Sequence, residues 1–169
     1  MAEAVKRATD ELLKASSLLH ENGYVLPALI LTYSTIDFLA SLARPRDHAD
    51  VTRDDFMAWV AEFLLPGSSL KCAASDLYSA RCGLLHTYSP ESRMSRSGSA
   101  KTLAYVAAPP GTTDSVLQPE PDEVVVFTSD LLTALVAAVR RFESVLVDDA
   151  HRLALVRERA EALFGTSAL

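Results

Sequence analysis

Cysteine and tryptophan are scarce in this sequence of 169 residues, which has two cysteines and one tryptophan. Cys72 and Cys82 lie ten residues apart and do not form the closely paired spacing that is typical of zinc sites. The N-terminal stretch MAEAVKRATDELLK lacks the apolar core of a secretory signal. These absences favour a protein of the reducing cytoplasm, and we expect a cytoplasmic location.

Long apolar runs and positive charge are also in short supply. The longest uninterrupted apolar runs, such as VLPALIL from Val25, fall well short of the roughly 20 residues that a membrane-spanning helix needs. The sequence therefore predicts no membrane partner.

With 16 basic residues against 22 acidic ones, the formal net charge is -6. Any contact with nucleic acid must then come from a local basic patch or from an assembled cleft.

The motifs of several enzyme classes are missing. The sequence has no Gly-rich phosphate loop, no G-x-S-x-G nucleophile elbow and no pair of histidines at zinc-binding spacing. His20, His48 and His151 are too scattered to suggest a metal site. We therefore expect neither a metal ion nor another cofactor.

What the sequence does contain is the composition of a folded domain. Hydrophobic residues make up 49% and charged residues 22%, which is typical of soluble globular proteins. A chain of this length can bury a continuous core without disulfides or metals. We expect one domain over residues 1–169.

Apolar residues recur at helical spacing over most of the chain. The five predicted helices cover about residues 2–20, 24–43, 52–65, 70–87 and 128–163. Between residues 89 and 126 the composition shifts to Ser, Gly, Pro and Thr around two short apolar segments that begin at Leu103 and Val124, which predicts a β-hairpin with its tip at PPGTTDS. The predicted fold is an all-α bundle of about five helices with a small β-hairpin insertion before the last one.

One segment, YSARCGLLHTYSPESRM at residues 78–94, places Arg81 and His86 in an apolar predicted helix just before its end. Histidine moves protons near neutral pH, and the planar arginine fork matches phosphate oxygens. The two residues would lie about 140° apart on an ideal helix, but Gly83 and the nearby helix end allow both to border one cleft. They could then cleave RNA without a metal, with His86 transferring the proton and Arg81 stabilising the phosphate charge. Alternatively, both residues are structural, with His86 near a helix C-terminus and Arg81 paired with an acid.

Asp37 is the single acid of the apolar second helix. A carboxylate in such surroundings needs a partner, and Arg81 is the obvious one if the second and fourth helices pack together. Asp37 would then orient the arginine and complete a set of three catalytic residues. The alternative is a local hydrogen bond to Tyr33 or Thr35.

Aromatic and basic residues follow the motif directly. Arg93, Arg96 and Lys101 form the most basic local segment of an acidic chain, and Tyr88 stands two residues after His86. These four residues are predicted to bind RNA beside the cleft. A solvated basic loop is the alternative for the three cations.

The string RCGLLH from Arg81 to His86 is similar to the R-x4–6-H motif of the HEPN superfamily, which comprises small all-α nucleotide-binding and ribonuclease domains. The second-helix string TYSTIDFLASL, which contains Asp37, fits the same pattern. The resemblance implies a HEPN-like bundle and a metal-independent RNA endonuclease that acts as a homodimer, with two motifs facing each other across a groove. A toxin or defence role follows from it, with an antitoxin protein as a further candidate partner.

One residue departs from the pattern of the family. Catalytic members often carry Asn, Asp or His directly after the motif arginine, whereas this chain has Cys82. Cys82 itself reads as a small buried hydrophobic residue rather than a nucleophile. The alternative function is therefore a non-catalytic HEPN module that binds a nucleotide or a partner protein.

Overall fold

The computed structural model describes residues 3–89, 91–107 and 119–165. Over these residues the chain is mostly helical, and its fold class is all-α, as predicted. The elements in chain order are α1 (Glu3–Glu21), α2 (Val25–Ala43), α3 (Arg53–Trp59) with a π-helical extension (Val60–Leu64), α4 (Ala74–Thr87), α5 (Arg93–Arg96), β1 (Thr102–Val106), β2 (Glu123–Phe127), α6 (Thr128–Asp148) and α7 (Ala150–Phe164).

Helix α2 is the centre of the bundle and packs against α1, α3, α4, α6 and α7. This position explains why α2 is apolar nearly all round, with Tyr33, Ile36 and Leu39 fully buried. By length and composition, α2 is the one described helix that could cross a membrane, and half of its most apolar window is buried within the bundle. The burial matches that of a core helix.

Helix α3 begins at a capping box formed by Thr52 and Asp55. The Thr52 hydroxyl accepts a hydrogen bond from the Asp55 backbone N–H, and the Asp55 carboxylate accepts one from the Thr52 backbone N–H. After Trp59 the helix widens into a π-helix, which the periodicity did not reveal. Arg141 of α6 donates its Nε–H to the carbonyl oxygen of Phe63 in this wider turn at 2.8 Å.

Two helix boundaries differ from the prediction. Helix α4 begins at Ala74 rather than near Leu70, because the Asp76 carboxylate accepts the Ala73 backbone N–H at 2.8 Å and so caps a later start.

The predicted long last helix is two helices, α6 and α7. The Asp149 carboxylate accepts the backbone N–H groups of both residues 151 and 152 at 3.0 Å, so that it begins a new helix where periodicity alone predicted a continuous one.

The predicted β-hairpin is wrong, because β1 and β2 pair in parallel. Leu103 is opposite Val124 and Tyr105 is opposite Val126, so that the apolar side chains of both strands alternate towards the core. Residues 107–122 separate the strands, which is far longer than a hairpin loop and long enough for a parallel connection. The predicted hairpin tip, residues 109–115, lies outside the described residues.

Candidate functional site

Helices α2 and α4 bring Asp37 and Arg81 together. The Arg81 Nε–H donates a hydrogen bond to Asp37 Oδ2 at 2.7 Å, and the side chains of Arg81 and Asp37 are 22% and 21% exposed respectively. Asp37 therefore reaches across to another helix, whereas Thr35 donates its hydroxyl hydrogen to the Leu31 carbonyl oxygen and Tyr33 pairs with the Tyr105 hydroxyl. The ion pair holds the guanidinium plane at the edge of the bundle.

His86 lies in the last turn of α4 and is exposed to solvent. Its Nε2 atom is 3.5 Å from Arg81 Nη1, although an ideal helix would place the two residues about 140° apart. The long arginine side chain spans this angle at the helix end. Asp37, Arg81 and His86 therefore form one continuous cluster, which we call the charged cluster.

Burial and pairing act in opposite directions on the ion pair of the charged cluster. Burial raises the pKa of Asp37, and the hydrogen bond and charge of Arg81 offset this only in part. Burial lowers the pKa of Arg81, but the hydrogen bond and charge of Asp37 outweigh it, so that the pKa of Arg81 is raised. Arg81 is thus a permanent cation, with its Nη1 directed towards His86.

The C-terminus of α4 ends in a left-handed turn at Tyr88, with φ 53°. The backbone N–H groups of Tyr88 and Ser89 both donate to the Gly83 carbonyl oxygen. A Cβ atom at Gly83 would collide with the Ser89 carbonyl oxygen and would lie 2.8 Å from that of Glu91. Gly83 is therefore needed for close approach, because the chain folds back directly over it.

A stripe of small and polar residues along α4 contacts the segment that follows this helix and folds back over it. The stripe consists of Asp76, Ser79 and Gly83, at the i, i+3, i+7 spacing of one helix face. The Ser79 hydroxyl is 2.6 Å from the Ser92 hydroxyl, and the Asp76 carboxylate accepts the Lys101 backbone N–H at 2.8 Å. Sequence reasoning missed this stripe, although small and polar residues at helical spacing in an apolar helix were the signal that could have found it.

The chain matches no protein-family model, and no curated protein and no solved structure matches it. The resemblance to the HEPN superfamily therefore rests on the motif residues.

The four predicted RNA-binding residues are all exposed. Tyr88 is 69% exposed and follows the charged cluster directly, whereas Arg93 and Arg96 belong to α5 and Lys101 precedes β1. The stripe that anchors the segment carrying the three cations lies about 170° around α4 from Arg81 on an ideal helix. Among the four predicted RNA-binding residues, Tyr88 therefore lies next to His86 along the chain.

Tyr78 and Arg53 also lie near the motif, and sequence reasoning missed the positive charge that Arg53 adds there. Burial raises the pKa of Tyr78, the contact with the Cys82 thiol raises it further, and the positive charges of Arg81 and Arg53 lower it. Arg53 is the first residue of α3 and lies far from the motif in sequence. Its charge therefore adds to that of Arg81 only because α3 packs against α4.

Metal-ligating side chains do not cluster in the described part of the chain. It contains no group of three or more His, Cys, Asp or Glu side chains placed to hold a metal ion.

Proposed function

We propose that this protein is a metal-independent RNA endonuclease of the HEPN type, acting as a homodimer in the cytoplasm. The observation that carries the proposal is the charged cluster, in which Asp37 orients Arg81 and Arg81 lies against His86. A toxin or defence ribonuclease fits this chemistry, and an antitoxin protein would then be its natural partner.

The cluster supplies the two groups that RNA cleavage by the ribose 2′-hydroxyl needs. His86 Nε2 lies 3.5 Å from Arg81 Nη1, so that a base and a cation can meet the same ribose and phosphate. His86 takes the 2′-hydroxyl proton, the 2′-oxygen attacks phosphorus, and the bond to the 5′-oxygen breaks. The products are a 2′,3′-cyclic phosphate and a 5′-hydroxyl end.

Arg81 stabilises the phosphate during this step. Asp37 accepts the Nε–H of Arg81 and so fixes the orientation of the guanidinium plane, and the remaining N–H groups can meet the extra charge on the phosphate oxygens. The acid that protonates the 5′-oxygen is a second histidine. In a homodimer this acid is His86 of the second copy, which faces the same groove.

Dimer formation also explains how a chain with a net negative charge could present a positively charged groove to RNA. Two copies of Arg81 and Tyr88 would gather cations and aromatic rings around one groove. The acidic remainder of each copy would stay outside it.

The test is incubation of labelled single-stranded and structured RNA with the purified protein in EDTA, followed by analysis of the product ends. We expect 2′,3′-cyclic phosphate ends from the wild type and roughly 100-fold or greater loss of rate in His86→Ala. His151→Ala is the matched control, because His151 is an exposed histidine on α7 and its removal leaves the motif intact. Absence of cleavage by a folded dimer across varied RNAs would contradict the proposal.

Cys82 favours a second candidate, a non-catalytic module that binds a nucleotide or a partner protein. The thiol is half-buried and engaged by Tyr78 and Arg81 at the position where catalytic HEPN members often carry a polar side chain. This candidate predicts that Arg81→Ala weakens binding of RNA or a nucleotide, while neither wild type nor variant cleaves RNA. Binding without cleavage would therefore select the module over the nuclease.

A further inference from the structure

A cavity of about 240 Å³ lies among the C-terminal end of α2, α3 with its π-helical extension, α6 and α7. Its lining includes none of the residues of the charged cluster. The proposed nuclease activity makes no use of this cavity. The cavity is therefore separate from the proposed nuclease site.

The cavity has an aromatic wall. Trp59, Phe63 and Phe142 line it, and each is at most 2% exposed. Their rings pack edge to face around Phe142, with centroid distances of 6.1 Å to Trp59 and 5.2 Å to Phe63. A concave, largely apolar wall of this kind suits the flat face of an aromatic ligand.

Two further observations distinguish the wall from ordinary core packing. The Trp59 indole Nε1 is buried and has no hydrogen-bond partner within the described residues, although buried indole N–H groups usually find an acceptor. The wall also includes Glu62 and Phe63 of the π-helix, a geometry that is rare and frequent at functional sites. Both observations point to a ligand that completes the wall.

The charged residues that line the cavity balance each other. Arg152 pairs with Glu62 at 2.6 Å, which links α7 to the π-helix. Arg44 donates its three bonds to backbone carbonyl oxygens, and the Asp55 carboxylate is engaged by its capping box and by His48. The lining thus carries two cations and two acids and has no net charge, and each of the four side chains already has hydrogen-bond partners, so that a neutral ligand fits best.

We propose that this cavity binds a neutral aromatic small molecule carrying one hydrogen-bond acceptor for the Trp59 indole N–H. The aromatic part contacts Phe63 and Phe142. The acceptor satisfies the unpaired donor of Trp59.

The test uses benzamide as the probe, because it is neutral and aromatic and has a carbonyl acceptor. Trp59 is the single tryptophan of the chain, so that one indole N–H signal in a proton–nitrogen-15 spectrum reports on this site alone. We expect benzamide to move that signal downfield with saturation at about 1 mM, the range for so small a ligand. Toluene, which lacks the acceptor, should produce no downfield shift.

Two comparisons locate and characterise the site. Ala58→Leu places a larger apolar side chain among the lining residues at an exposed position, whereas Ala154→Leu makes the same change at an exposed position of α7 outside the lining. We expect benzamide binding to be lost in the first variant and retained in the second. Benzoate should bind at least about tenfold more weakly than benzamide, because its charge finds no free cation.

Three results would overturn the proposal. The first is the absence of a saturable shift of the Trp59 signal up to about 10 mM benzamide in the wild type. The second is a shift that Ala58→Leu leaves unchanged, which would place binding elsewhere. The third is benzoate binding as tight as that of benzamide, which would exclude a site for neutral ligands.

Discussion

Tyr88 combines a left-handed backbone with a large exposed side chain, directly after the charged cluster. A bulky residue at φ 53° is uncommon and costs about 1 kcal/mol or more, whereas Asn tolerates this region. The tyrosine ring therefore occupies a position that backbone preference alone would not give it. Such residues cluster at functional sites, which supports a role in stacking on an RNA base.

The first prediction concerns Tyr88→Asn. Because Asn relieves the backbone and removes the stacking ring, we expect the free energy of unfolding to stay equal or to rise by up to about 1 kcal/mol, while RNA affinity falls roughly tenfold. Thermal unfolding and an RNA-binding titration measure the two effects. A fall in stability together with unchanged RNA affinity would show that the ring serves packing instead.

The second prediction concerns Gly83, where the returning chain crosses α4. Replacing a helical glycine by alanine normally stabilises a helix by about 1 kcal/mol. At Gly83 the added methyl group meets two backbone carbonyl oxygens, so that we expect Gly83→Ala to lower the free energy of unfolding by about 2 kcal/mol and to displace the turn that positions His86. Chemical denaturation tests this, and a gain in stability would refute the close approach.

The third prediction concerns the pH dependence of Asp37. Its pKa is raised above 3.8 in the folded state, chiefly by burial, so that protonation favours folding. The contribution of Asp37 to stability should rise as the pH falls from neutral through the raised pKa, and should level off below 3.8. We therefore expect the stability of the wild type, relative to Asp37→Asn, to improve on acidification.

Denaturant unfolding of both proteins across this pH range measures the difference. The opposite trend, in which the wild type loses stability relative to the variant on acidification, would mean that the ion pair with Arg81 outweighs burial at the carboxylate.

At the scale of elements, α7 is fastened to the end of α2 by Arg159. Its guanidinium donates to the carbonyl oxygens of Leu42, Arg44 and Pro45, which lie at the C-terminus of α2 and just beyond it. The Leu42 carbonyl group belongs to the last turn of α2, where carbonyl groups lack partners within the helix, and a cation also suits this end of the helix dipole. One side chain of α7 thereby completes the end of α2.

The fourth prediction follows from this contact. Arg159→Met keeps the apolar stem and removes the donors, and we expect it to lower the free energy of unfolding by about 2 kcal/mol. Arg157→Met is the matched control, because Arg157 is exposed on the same helix. Equal effects of the two substitutions in thermal unfolding would argue against a special role for Arg159.

The strands illustrate what pattern reading misses at this scale. The alternation of apolar residues located both strands, with Leu103, Val124 and Val126 turned inwards. Alternation has a period of two residues and is the same whichever way a strand runs. Alternation therefore did not determine the direction of pairing, and the predicted hairpin was wrong. The long connection of residues 107–122 permits the parallel arrangement.

At the scale of the whole molecule, the fifth prediction is the homodimer. The proposed mechanism needs two copies of His86, one as base and one as acid, so that an active protein must associate. Light scattering of the purified protein should give twice the chain mass of 18.3 kDa. A monomer that still cleaves RNA would contradict the two-copy mechanism while leaving the charged cluster intact.

By itself, the sequence determined the fold class, most helices and the need of Asp37 for a partner. These follow from local rules, since apolar periodicity, capping residues and the cost of burying a charge act wherever the chain goes. Tertiary structure alone decided the parallel strands, the π-helix after Trp59, the role of Gly83 and the 3.5 Å approach of Arg81 to His86. Each of these depends on which segments distant in the sequence or around the helix come into contact, and packing of the whole chain sets those contacts.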